Sequence, residues 1–154
     1  LTASVVLASF LVFAGLGSNW SKRYSTQQRY RQGVIWSVAG ILLAGATYLL
    51  SLDTLLAALV IWPTGARVAV SIALIAPMAF FMGMPFPLAL TSLGAGAGTL
   101  IPLAWGVNGC ASVLSAVLAT LLAIHFGFSV VVLLALLLYI LAAWNFRFIR
   151  NSVN

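Results

Sequence analysis

The 154-residue chain is 64% hydrophobic and 5% charged, with a mean hydropathy of +1.18 and a formal net charge of +6. A soluble domain of this size needs a polar exterior that such a composition does not supply, so the bilayer is the expected solvent. Crossing a ~30 Å hydrocarbon core takes roughly 20 apolar residues at 1.5 Å each, which predicts an all-α, polytopic membrane helix bundle of about five transmembrane helices.

The positive charge does not point to nucleic acid. Lys22, Arg23, Arg29 and Arg31 share one loop, and Arg147 and Arg150 follow the last apolar run. That is the positive-inside pattern of a membrane protein, not a basic face interleaved with aromatic rings. The single cysteine, Cys110, excludes an internal disulfide and a thiolate zinc site. The chain opens at Leu1 inside an apolar run, with no initiator Met and no charged segment before it. It therefore reads as a fragment of a longer protein, 1–154 forming a single transmembrane domain, and not as a secretory signal.

In chain order, the first helix is expected over about 1–16, ended by Gly15, Gly17 and Ser18. A polar, basic loop follows over 19–32, and the second span over 33–52, with Trp36 and Tyr48 near its two ends, where aromatic rings favour the interface. The next stretch, SLDTLLAALVIWPTG, is too short to cross. Asp53 is placed to accept from the free N–H groups of a first turn, so a separate short interfacial helix is expected over about 53–62, closed by Trp62 and Pro63. Arg67 then precedes the third span, 68–90.

Pro77, Gly83, Pro85 and Pro87 lie in that third span. Each proline removes a backbone donor and crowds the preceding turn, so the helix is expected to break near Gly83 to Pro87. In lipid the freed carbonyls need partners, so the break should face protein or a polar cavity. A glycine-rich turn follows, then the fourth span over 101–126 and the fifth over 129–146. With the loop 19–32 on the cytoplasmic side, five spans place the tail with Arg147 and Arg150 there too.

Three constellations stand out. On the fourth span, Ala111, Ser115, Ala119 and Ala123 form one i+4 row, and Ser112, Ala116 and Thr120 the next. Such rows let helices approach closely in lipid; packing within the bundle is the favoured reading, and a face for a partner subunit the alternative. Asn108 is the notable polar side chain within a span. With the proline break it resembles the site architecture of transporters, which makes Pro85, Phe86, Pro87, Trp105 and Asn108 the candidate ligand-binding residues. The plainer reading, that Asn108 caps carbonyls released by the prolines, is favoured, since no acidic residue lies within the bilayer to relay a proton or cation. His125 is a weak candidate pigment or metal ligand. Light-harvesting helices usually carry Ala four residues before such a histidine and this chain has Leu121, so a plain interfacial histidine is favoured.

Recognisable catalysis is not expected. Asp53 is the only carboxylate, which rules out paired-acid chemistry. Ser112 and Ser115 have no histidine base on their helix face. The GAGAG stretch lacks the Lys-Ser/Thr ending of a phosphate loop. Neither a cofactor nor a metal is expected.

The residues MGMPFPLAL (Met82 to Leu90) and IPLAWGVNGCASVLSAVLATLLAIHFGF (Ile101 to Phe128) resemble the membrane domain of bacterial multi-pass spermidine synthase-like proteins. The segment LASFLVFAGLGS looks like the helix that opens that domain. The resemblance covers most of the chain, with Ala89 in place of the family's Gly and Cys110 in place of its Ala. In that family a soluble aminopropyltransferase-like domain is usually fused to the membrane segments. No part of that domain is present here, and no catalytic position carries over.

The resemblance implies a non-catalytic anchor or scaffold in a bacterial inner membrane, with the lipid bilayer and a fused or partner enzyme around it. Two alternatives stand beside it: an accessory structural subunit of a larger, energy-converting membrane complex, and part of a small-molecule transporter.

Overall fold

The computed structural model describes residues 2–24, 26, 29–92 and 99–151, and these form helices joined by turns. Helices α1 (Thr2–Ser21), α2 (Tyr30–Leu59), α3 (Thr64–Met82), α4 (Pro85–Ser92), α5 (Leu100–Phe126) and α6 (Phe128–Asn151) follow in order, with a 3₁₀ turn, Lys22–Tyr24, after α1. Five segments are long and apolar enough to cross a membrane: Ala3–Tyr24, Tyr30–Ser51, Thr64–Thr91, Leu100–Phe126 and Phe128–Asn145. The chain is an all-α, multi-pass membrane protein with five candidate spans, the third made of α3 and α4 together.

Several boundaries differ from the sequence expectation: α2 already starts at Tyr30 and not at 33, and α3 at Thr64 and not at 68, so that Arg67 lies inside it. The first helix does not stop at Gly15 to Ser18 but runs to Ser21. Gly17 is a contact point within it: a side chain there would collide with the Phe80 backbone carbonyl. The second helix does not stop at Leu52, and no separate helix starts at Asp53. It continues unbroken to Leu59, because the polar pair Ser51 and Asp53 interrupts the hydropathy without interrupting backbone hydrogen bonding. At 30 residues it is about 45 Å long, so its last turns exceed the bilayer core. The last helix extends past 146 to Asn151. The expected glycine-rich turn falls largely on 93–98, and the Asp53, Arg147 and Arg150 side chains likewise lie outside the described residues.

The third span breaks where its prolines predict, between Met82 and Pro85. Pro85 and Pro87 occupy the first turn of α4, where a missing N–H removes no helical bond. Across the break the chain turns through Gly83 N–H to the Ala79 carbonyl (3.0 Å), Met84 N–H to Phe81 (3.3 Å) and Leu88 N–H to Met84 (3.2 Å). Pro77, by contrast, sits inside α3 and deprives the Ala73 carbonyl of its usual donor. Near it, the Tyr48 hydroxyl of α2 donates to the Leu74 carbonyl, tying α2 to α3.

The chain groups into two compact units, Leu1–Leu88 and Ala89–Asn154. In the first, α3 packs against both α1 and α2. The buried face of α2 is Val34, Ser37, Val38 and Ile41, the i, i+3, i+4, i+7 spacing of one helix side. Ser37 keeps its hydroxyl satisfied by donating to the Val34 carbonyl at 2.9 Å. In the second unit α5 and α6 form an antiparallel hairpin, turned at Gly127 with φ 86°, a left-handed conformation that glycine adopts without steric penalty.

Candidate functional site

The proline break is packed inside the first unit. Ala79, Met84 and Leu88 are buried around it. A Cβ on Gly83 would strike the Ala14 carbonyl, one on Gly17 the Phe80 carbonyl, and one on Gly40 the Phe81 ring. Gly17 and Gly83 thus mark one close crossing of α1 and α3, while Phe80 and Phe81 fan out on either side. The Phe80 ring meets Trp20 edge-on at 6.3 Å, and Phe81 stands at 86° to it. Leu88 and Tyr24 close over Gly33. The break is filled by protein, one of the two environments that lipid permits for irregular backbone.

At the far end of α2, Arg67 folds back. Its Nε donates to the Trp62 carbonyl at 2.7 Å, and a second guanidinium nitrogen donates to Val60. These carbonyls follow the last turn of α2, where a cation compensates unpaired acceptors and the helix dipole. The arginine predicted at the head of the third span therefore fastens the α2–α3 turn.

The second unit is packed far less. No residue of α5 is buried, and within this unit the helix meets α6. Its hydroxyls are satisfied along their own helix: Ser112 donates to the Asn108 carbonyl (2.8 Å), Ser115 to Ser112 (3.0 Å) and Thr120 to Ala116 (2.9 Å). Folding back in this way lowers the polarity of the row Ala111, Ser112, Ser115, Ala116, Ala119, Thr120, Ala123, and leaves a low surface that another helix can approach. Where the row nears the hairpin turn it opens into an apolar cleft of about 410 Å³, lined by Ala119, Thr120, Ala123 and Ile124 of α5 and Phe128 and Val131 of α6.

The candidate ligand residues fall in both units. Pro85, Phe86 and Pro87 belong to the first turn of α4 in the first unit, and Trp105 and Asn108 to α5 in the second. Trp105 and Asn108 are exposed. His125 is exposed as well, its Nδ1 lying 2.8 Å from the Leu121 carbonyl, so the Nδ1–H tautomer donates into its own helix. Among the described residues no group of three or more His, Cys, Asp or Glu side chains is placed to hold a metal.

Sequence reasoning passed over the contacts that matter most to the first unit: Gly17, Gly33, Gly40 and Tyr48. A signal was present, since Gly33, Ser37 and Gly40 recur at i, i+4 and i+7 on α2, the small-residue spacing of a helix-packing face. It also passed over Ile124, Phe128 and Val131 of the cleft. No family model, curated protein or solved structure matches the chain.

Proposed function

We propose that this chain is a non-catalytic integral membrane domain that anchors or scaffolds a partner, with the face of α5 as its contact. The observation that carries the reading is that α5 has no buried residue although it bears two adjacent rows of small residues, with hydroxyls already bonded along the helix. Lipid gains little from such a surface, whereas another helix gains close dispersion contact along it.

The partner we favour is a spermidine synthase-like, aminopropyltransferase-type enzyme, fused to this domain or bound to it, in a bacterial inner membrane. The support is the sequence resemblance over Met82 to Leu90 and Ile101 to Phe128. The basic residues Lys22, Arg23, Arg29 and Arg31 support a cytoplasmic placement of that end. An accessory subunit of a larger membrane complex would use the same face of α5.

A transporter is the second reading, supported by the helix break at Gly83 and Met84, a feature of substrate sites in transporters. Against it, Met84 and Leu88 are buried in protein at that break, so the irregular backbone is explained by packing. Substrate-dependent flux abolished by Asn108→Ala would favour the transporter.

Isolation of the native particle in mild detergent tests the main reading. The expected result is a methyltransferase-like soluble domain, either on the same polypeptide or on a partner in fixed stoichiometry; a separate partner is lost on Ser115→Leu/Ala119→Leu. Recovery of this chain alone, unchanged by those substitutions, would contradict it.

A further inference from the structure

The end of the first unit that joins α1 to α2 carries a cluster of positive charge. The two helices are both candidate spans, ending at Tyr24 and resuming at Tyr30, so the link lies at one face of the bilayer. Arg23, Arg29 and Arg31 are exposed there. The only acidic residue in the chain is Asp53, about six turns further along α2 and about 33 Å from Arg31. That distance is several Debye lengths at physiological salt. The chain itself offers no carboxylate to neutralise this cluster.

Arg23 is also held in place. The Arg23 guanidinium carbon lies 3.7 Å from the Trp20 ring centroid, a cation–π distance, and Trp20 rests edge-on against Phe80 of α3. The 3₁₀ turn that carries Arg23 is pinned on its other side by Tyr24 over Gly33. Ser21 is buried and donates to the Ser18 carbonyl at 2.6 Å. Arg29 N–H is bonded to the Thr26 carbonyl at 2.8 Å, which sets Arg29 and Arg31 at the opening of α2. A guanidinium held against a ring keeps its N–H fork for an anion, and phosphate oxygens match that fork. Trp20 is of the residue type that favours the headgroup level.

We propose that Trp20, Arg23, Arg29 and Arg31 form a binding site for the phosphate of an anionic phospholipid at this face of the bilayer. Charge complementarity and position select the occupant: the anion must lie at membrane depth beside an aromatic ring, where a lipid headgroup is always present. Near a membrane surface each basic side chain strengthens such attraction about fivefold.

The test uses the full chain in detergent, exposed to equal amounts of phosphatidylglycerol and phosphatidylcholine, with bound lipid read by native mass spectrometry. The expected result is retention of phosphatidylglycerol over phosphatidylcholine by about tenfold or more. Arg23→Gln/Arg29→Gln/Arg31→Gln should remove that preference with an unchanged melting temperature, and the triple Lys variant should restore most of it. Equal retention of the two lipids would overturn the proposal, as would a neutral variant that keeps the preference. Displacement of the lipid by excess inorganic phosphate would assign the site to a free anion, and displacement by an acidic peptide would assign it to a protein. Either of those results also overturns it.

Discussion

Several glycines of the first unit are contact points, whereas the two on α5 are not. In Leu1–Leu88, a side chain at Gly17, Gly40 or Gly83 would run into a neighbouring helix, and at Gly17 and Gly83 the obstacle is backbone. On α5, a side chain at Gly106 or Gly109 would meet nothing within 4 Å. The first unit has used its small residues to bring α1, α2 and α3 together; on α5 the glycines at 106 and 109 touch no neighbour, and the small-residue row meets α6 only near the hairpin turn, at Phe128 and Val131. Packing is the main force joining helices in lipid, which is why we propose the small residues of α5 as the place where a partner helix docks.

The comparison can be broken most sharply at the α1–α3 crossing. Gly17→Val or Gly83→Val should destabilise the first unit by about 3 kcal/mol, read as a large fall in melting temperature in detergent. Gly15→Val, whose side chain would meet nothing within 4 Å, should leave it nearly unchanged. A Gly17→Val protein as stable as the Gly15→Val control would remove the crossing from the account. Gly40→Ala presses on the Phe81 ring, which can shift where backbone cannot, so about 1–2 kcal/mol is expected by the same measurement.

Smaller effects sharpen the picture. Tyr48→Phe removes one hydroxyl donated to the Leu74 carbonyl near Pro77. The expected cost is about 0.6 kcal/mol, the scale of an interhelical hydrogen bond in a membrane protein. Gly109→Ala should leave the melting of the isolated chain unchanged or raise it by about 0.5 kcal/mol through helix propensity. A marked loss would mean that the residue is already packed.

Much of this was legible in the sequence. Apolar runs of bilayer length set the five spans, and Pro85 with Pro87 set the break, because a proline's missing donor acts locally. The end of α1 was not legible. In water Gly17 and Ser18 would argue for a stop, but a glycine pressed against the Phe80 carbonyl serves helix packing instead. The continuity of α2 past Asp53 was hidden for a similar reason, since a polar residue at the bilayer edge resembles a cap yet leaves the backbone bonding intact. Of the candidate site, the small-residue row on α5 was readable from its i+4 spacing. The cleft beside it was not, because Phe128 and Val131 join it only through the turn at Gly127.

The central claim is that the α5 face takes a partner helix, and the mass of the native particle tests it most directly. Extracted in mild detergent, the parent protein should carry a defined partner in fixed stoichiometry. Ser115→Leu/Ala119→Leu should lose that partner while melting like the parent. A particle of unchanged composition in the variant would contradict the account.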